Sequence, residues 1–274
     1  MDTVRDHPIY PKEDITLNSA GQISQAGLDA LAASRHTVAL TGAGVSAESG
    51  IPTFRGEGGL WRNHRPEQLA TPEAFAANPA LVWEFYDWRR SVIHRARPNP
   101  AHSALAALEE MSEKFTLLTQ NIDGFHRAAG SQRVVELHGN IWEMRDLDEG
   151  RVFEDRRVPL KPIPPRTQSG ALLRPNVVWF GEGLNPKIKE AAFEAASGCD
   201  FMIVAGTSAV VQPAAYMPLL AKENGAYVLE VNPEPTPISD VVDETLLGKA
   251  GEVLPAIAER LSRADERNRT RPLA

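Results

Sequence analysis

The sequence predicts an α/β fold, a doubly wound parallel sheet with a small lobe formed by two insertions. Three observations predict it. Short apolar runs bounded by turn residues recur at 37–41, 115–119, 133–137, 176–180, 200–205 and 226–231. Helical patterns at 101–113, 186–197, 213–223 and 251–263 separate many of them, the signature of strands covered on both faces. Glycine-rich and polar motifs stand at the ends of these runs, where doubly wound (Rossmann-like) sheets bind ligands.

Taken in order, residues 1–20 are polar and proline-containing and are expected to drape over the domain. Residues 23–34 place Ile23, Ala26, Leu28 and Leu31 at helical spacing. The run His36–Leu40 then feeds T-G-A-G-V-S-A-E-S-G-I-P-T-F-R-G, Thr41 to Gly56. Gly42 and Gly44 there let backbone N–H groups approach a phosphate, and a helix N-terminus favours negative charge, so a dinucleotide is the expected ligand. A tight turn is the plain alternative. Residues 57–100 hold Trp61, Phe75, Trp83, Phe85, Tyr86 and Trp88 but no strand run, and read as a helical insertion. The strand F-T-L-L-T ends in Gln120-Asn121-Ile122-Asp123, and Val134–Leu137 ends in His138-Gly139. Residues 141–172 are rich in charge and proline and read as a loop with one hairpin, with Trp142 and Phe153 as its core.

Composition narrows the function. The 274 residues carry a formal charge of −7, which argues against a general nucleic-acid binder. No apolar run approaches the roughly 20 residues that cross a bilayer, and the first residues have no secretory pattern, so a cytoplasmic location is expected. Cys199 is the only cysteine, which excludes a disulfide framework and a thiolate metal cage. A dehydrogenase would need an acidic residue about 20 positions beyond its glycines, at a second strand end. Here that region reads L-W-R-N-H-R-P.

The stretch 41–56, with Q-N-I-D at 120–123, E-L-H-G-N at 136–140, G-T-S at 206–208 and V-N-P at 231–233, resembles the sirtuins, NAD-dependent protein-lysine deacylases. The motifs occur in the family's order over about residues 37–255. The resemblance implies one catalytic domain over 1–274, with a nucleotide-binding part at about 20–56, 101–140 and 173–265 and a lobe from 57–100 and 141–172. It implies NAD as cofactor, held by Gly42, Ala43, Gly44, Ser46, Glu48, Ser49, Ile51, Pro52, Phe54, Arg55, Gln120, Asn121, Ile122, Asp123, His138, Gly206, Thr207, Ser208, Asn232 and Ala250. By the same resemblance Asn121 and His138 are catalytic, Asp123 holds the nicotinamide amide, and His138 is the general base. An imidazole with an ordinary pKa of about 6.5 can accept a proton at cellular pH.

Three further features refine the expectation. R-P-N-V-V-W-F-G-E resembles the segment that pairs with the substrate backbone, which assigns Val178, Trp179, Phe180, Gly181 and Glu182 to an acyl-lysine peptide added as a strand. A buried strand with Trp179 and Phe180 in the core is compatible with it. Tyr86 and Arg89, three apart on one helix face, resemble the pair that binds the acyl carboxylate in the succinyl-, malonyl- and glutaryl-removing branch. Near the position where that branch commonly has alanine, this chain has Pro66. Finally, the family's zinc-binding cysteines are missing: residues 141–172 contain neither cysteine nor histidine, so no metal is expected. The expected partner is an acyl-lysine protein, with no nucleic acid, no membrane and a monomeric enzyme. A deacetylase without acidic-acyl preference, an ADP-ribosyltransferase or NAD glycohydrolase, and a non-enzymatic NAD-binding module stay open at this point.

Overall fold

The structure is a computed structural model that describes residues 16–18, 22–53, 61–62 and 64–269, with side chains for all but 16–18, 66–67 and 265–269. Its elements run β1 (Thr16–Asn18), α1 (Gln25–Ala33), β2 (Thr37–Thr41), α2 (Ala43–Ala47), α3 (Pro66–Leu69), α4 (Pro72–Ala77), α5 (Pro79–Arg95) and α6 (Pro100–Met111). They continue as β3 (Phe115–Thr119), α7 (Phe125–Ala128), β4 (Val134–Glu136), β5 (Gly139–Asp146), β6 (Val152–Glu154) and β7 (Leu173–Val177). The last third holds α8 (Pro186–Ser197), β8 (Phe201–Ala205), a 3-10 turn (Ala214–Tyr216), α9 (Met217–Glu223), β9 (Tyr227–Asn232), β10 (Glu244–Leu247) and α10 (Ala250–Arg269).

Among the described residues one seven-stranded sheet has the order β1-β10-β9-β8-β2-β3-β4, every pair parallel. Successive strand side chains point to opposite faces, and the core splits accordingly. Ala39, Leu117, Ile203 and Leu229 face α1, α6 and α10 through Leu28, Leu105 and Leu254. Val38, Leu40, Leu118, Met202 and Val228 face α8 and α9 through Ala192, Ala196, Met217 and Ala221. Both sheet faces are therefore covered, as continuous apolar strands require. From β2 the chain winds outward through β3 and β4; from β8 it winds the other way through β9 and β10. The order reverses between β2 and β8, and the crevice at their carboxyl ends is where such folds take ligands.

A third core joins α4 and α5 to a small antiparallel sheet of order β6-β5-β7 through Phe75, Trp83, Phe85, Ile141, Trp142, Met144 and Leu173. The sequence expectation of a parallel strand at 176–180 is corrected here. The strand is β7, three residues earlier, and it pairs antiparallel with β5, Asp146 opposite Leu173 and Gly139 opposite Val177. A parallel partner needs a crossover of a dozen or more residues, usually helical; residues 141–172 form a hairpin and loops instead. Trp179 is buried as expected, but Phe180 is exposed. Phe153 is also exposed, on the edge strand β6, so Trp142 forms that core without it. Among the described residues no helix is long and apolar enough to cross a membrane.

Candidate active site

The site is built at the reversal of strand order. Gly42 N donates to Ala205 O at 3.1 Å and Gly44 N to Gly206 O at 2.8 Å, which zips the ends of β2 and β8 together. A Cβ on Gly42 or Gly44 would lie 2.7 or 2.8 Å from Gly206 O. One on Gly206, where φ is +58°, would lie 2.4 Å from Val45 N. The three glycines thus interlock before any ligand is considered, and larger residues would wedge the crevice open. Ala43 begins α2 directly from Gly42, and Ser46 is buried one turn later.

The Q-N-I-D motif follows β3 and closes the crevice floor. Asn121 Nδ2 donates to Gly42 O at 2.9 Å and to Ser46 Oγ at 3.1 Å. Ser46 Oγ donates to Asp123 Oδ2 at 2.7 Å, while Asp123 Oδ1 accepts from Phe125 N at 2.8 Å. Gln120 Nε2 reaches Thr207 Oγ1 at 3.0 Å, joining this motif to G-T-S. Ile51 and Ile122 are buried in the small lobe's core, and Pro52 is half-buried beside Ile51. Glu48 Oε1 accepts from Gly251 N at 3.0 Å, next to buried Ala250. Asn232 donates to Glu234 O at 2.7 Å, and Ser208 is exposed at the rim. Phe54 and Arg55 lie outside the described residues, as does the side chain of Pro66.

His138 stands where β4 turns into β5. Its Nδ1 is 3.0 Å from Gln120 O. A carbonyl only accepts, so the proton sits on Nδ1 and Nε2 keeps its lone pair. Burial lowers the imidazole pKa below its ordinary value, with the Gln120 hydrogen bond opposing. The ring is therefore neutral and basic at Nε2. Gly139 follows with φ +77°, and a Cβ there would lie 2.1 Å from Asn176 O, so only glycine lets β7 pass beside the histidine.

The W-F-G-E segment is tied to this histidine: Val178 N donates to His138 O at 2.9 Å, and Phe180 N to Ala70 O at 2.9 Å. Gly181 turns the chain with φ +87°. Glu182 then folds back, accepting from Trp179 N at 2.8 Å and from both Arg174 Nη atoms at 2.7 and 2.9 Å. Burial works to raise the Glu182 carboxyl, but the Arg174 and Trp179 hydrogen bonds hold it below the ordinary range. Arg174 lies over the Trp179 ring at 3.5 Å. Trp179 Nε1 donates in turn to Tyr86 Oη at 2.9 Å.

Tyr86 and Arg89 share the buried face of α5 with Val82 and Ile93, a spacing of three to four residues that puts them side by side. Burial pushes the Tyr86 hydroxyl up to about 12, so it stays a neutral donor. Burial also pulls the Arg89 pKa down, against the Tyr86 and Asp123 fields that support its charge. Sequence reasoning missed Arg174 and Asn99. Asn99 caps α6 and reaches Val45 O at 2.7 Å and Ser49 Oγ at 3.0 Å. The P-N-P at 98–100 was its signal, since asparagine before proline is a helix start.

The Sir2 family profile matches residues 42–213. The chain belongs to the Sir2 family. It is 54% identical over 236 residues to NAD-dependent protein deacylase 2 of Pyrobaculum aerophilum, covering 86% of this chain and 94% of that one. It is 52% identical over 225 residues to the NAD-dependent protein deacylase of Aquifex aeolicus, at 82% and 94% coverage. A crystal structure of a Sir2 homologue in complex with NAD superposes with a TM-score of 0.85 at 47% identity, over 89% of this sirtuin and 95% of that chain. Sir2Af2 bound to a myristoylated histone peptide gives 0.72 at 37% identity, over 88% and 97%. The crevice of this sirtuin suits a dinucleotide: glycine backbone on both walls and a neutral histidine at one end.

Proposed function

We propose that this sirtuin is an NAD-dependent protein-lysine deacylase that prefers acyl chains ending in a carboxylate, namely succinyl, malonyl and glutaryl, and removes acetyl more weakly. The observation that carries the preference is the Tyr86–Arg89 pair on the buried face of α5, its phenol already engaged by the W-F-G-E segment. A guanidinium can hold a carboxylate bidentately and a neutral phenol adds a donor. NAD, when bound, would supply an electrophilic ribose carbon: nicotinamide would depart, one water would be consumed, and the acyl group would pass to ADP-ribose as free lysine is released.

The rest is the work of the chain's own residues. Gly42, Ala43, Gly44, Ser46, Thr207 and Ser208 would receive the dinucleotide at the crevice, with Glu48, Ser49, Asn232 and Ala250 toward its outer end. Asn121 and Asp123, each locked to Ser46, hold the inner end in one orientation. His138 accepts a proton at Nε2, the nitrogen left free by its bond to Gln120 O. Val178 to Glu182 offer an extended edge to the acyl-lysine peptide.

The lobe works without zinc on this reading, since residues 141–172 lack thiolate and imidazole. Among the described residues no group of three or more histidine, cysteine or acidic side chains could hold a metal ion. The enzyme acts as a cytoplasmic monomer on protein substrates, with no nucleic-acid or membrane partner. Nicotinamide release from matched acetyl-, succinyl- and glutaryl-lysine peptides tests the proposal. Faster turnover of the two acidic acyl groups is expected; a preference for acetyl would overturn it.

A further inference from the structure

Two histidines lie ring to ring beneath the Q-N-I-D motif. His102, on α6, is wholly buried, and His126, on α7, is 2% exposed; their ring centres are 4.8 Å apart. The protonation of each follows from its partners. His102 Nδ1 accepts from the Asn99 backbone N–H at 3.2 Å, so its own proton is on Nε2. Thr41 Oγ1 donates to Thr119 Oγ1 at 2.9 Å and lies 2.9 Å from His126 Nε2. A hydroxyl has one proton, and Thr41 has spent it on Thr119. His126 Nε2 must therefore donate to Thr41, which leaves Nδ1 as a bare acceptor.

One nitrogen of each ring then has no partner among the described residues: the donor His102 Nε2 and the acceptor His126 Nδ1. The two orphans are complementary, buried and on neighbouring rings. Burying either unpaired is costly, and joining them removes both costs at once.

We propose that a small turn of the two rings, whose facing nitrogens are not hydrogen-bonded in this structure, lets His102 Nε2–H donate to His126 Nδ1, and that the two histidines are positioning residues for NAD-dependent deacylation, forming one directed hydrogen-bond relay under the cofactor crevice. The relay runs from Asn99 N–H through His102, His126 and Thr41 to Thr119. Thr119 Oγ1 also accepts from Asn121 N at 3.1 Å. At the other end, the Asn99 side chain holds Val45 O and Ser49 Oγ. Both ends thus grip residues of the cofactor crevice, and the relay fixes the height of Asn121 against the helix carrying Ser46. A proton on either imidazole would turn an acceptor into a donor and break the chain. Burial opposes that proton on both rings. It lowers His126 to about 3, with the neighbouring His102 adding to the effect. It also lowers His102, against the pull of the Asp123 carboxylate.

The proposal rests on the NAD-dependent reaction and not on the acyl preference, and its first test needs no activity. In the full-length protein labelled with ¹⁵N-histidine, both rings are expected as neutral Nε2–H tautomers that do not titrate between about pH 8 and pH 5. An Nδ1–H tautomer on either ring, or an imidazolium in that range, would overturn it. The second test is kinetic. His126→Phe removes both nitrogens and is expected to raise KM for NAD on the order of tenfold or more, with KM for the acyl peptide unchanged. His126→Gln, which restores a donor to Thr41, is expected to recover most of that loss. Equal behaviour of the two variants, or a wild-type KM in both, would also overturn it. If the phenylalanine variant does not fold, the tautomers decide alone.

Discussion

If the small lobe holds no zinc, as proposed, other contacts must pin it, and Asp155 is the residue to perturb. Arg90, whose side chain is 0% exposed, donates to the Asp155 backbone oxygen and to Oδ1 at 3.1 Å. Arg157 holds the other carboxylate oxygen through Nε at 2.9 Å and Nη2 at 2.6 Å. Asp155 N donates to Trp142 O at 2.7 Å, and the Arg90 guanidinium lies over the Trp142 ring at 5.2 Å. Burial works to raise the Asp155 carboxyl, but hydrogen bonds from Arg157 and the charges of Arg157 and Arg90 hold it below its ordinary range. The pair thus clamps α5 of one insertion to the end of β6 in the other. Asp155→Asn keeps the shape and strands the buried Arg90 charge. Breaking a buried ion pair costs roughly 3–5 kcal/mol, and about 3 is the suitable end because Arg157 is exposed. At about 2–4 °C per kcal/mol for a chain near this size, melting should fall by about 6–12 °C. Scanning calorimetry of both proteins, with and without a chelator, reads it. A variant melting within about 2 °C of wild type, or a wild type that a chelator destabilises, would refute the reasoning.

Three more predictions follow from the site. His138→Ala is expected to bind NAD yet lose about 10²–10⁴ in deacylation rate, the usual cost of a removed general base; titration calorimetry and turnover measure the two halves. Gly139→Ala must relieve a Cβ 2.1 Å from Asn176 O at φ +77°, so a loss of at least about 1–3 kcal/mol is expected in denaturant unfolding. Acid should destabilise the fold through His126. Its folded pKa of about 3 lies below the ordinary 6.5, so the unfolded chain takes the proton first. Stability is therefore present above about pH 6.5 and lost as pH falls toward 3, with a slope approaching about 1.4 kcal/mol per pH unit from this group. Unfolding midpoints that stay level across that range would contradict it.

Much of this fold was legible because the central strands are buried on both faces. The runs at 37–41, 115–119 and 200–205 match β2, β3 and β8 to within a residue. β1 and β10 escaped notice: Thr16–Asn18 and Glu244–Leu247 are too short and too polar to form an apolar run. The run at 176–180 was visible, but its pairing direction was not, since that depends on the connection before it rather than on its own residues. Phe153 failed as a core residue because alternation cannot distinguish an edge strand from a covered one. At the site, the motifs were visible as residue patterns, whereas the interlock of Gly42 and Gly44 with Gly206 brings together residues far apart in sequence. The same holds for Asn99, which reaches 54 residues back to Val45.

The central claim is that Arg89 selects a carboxylate, and the selectivity of Arg89→Met tests it most directly. Arg89 is buried beside Tyr86, and a succinyl group brings a carboxylate that a guanidinium can hold bidentately, whereas an acetyl group brings none. Losing one member of a buried charge pair costs roughly 2–5 kcal/mol. The measurement is kcat/KM for matched succinyl- and acetyl-lysine peptides with both proteins. Wild type is expected to favour succinyl, and Arg89→Met to lose about two orders of magnitude on it while deacetylation is spared or improved. A wild type that prefers acetyl-lysine, or a variant in which both activities fall equally, would contradict the assignment and leave Tyr86 and Arg89 as packing residues.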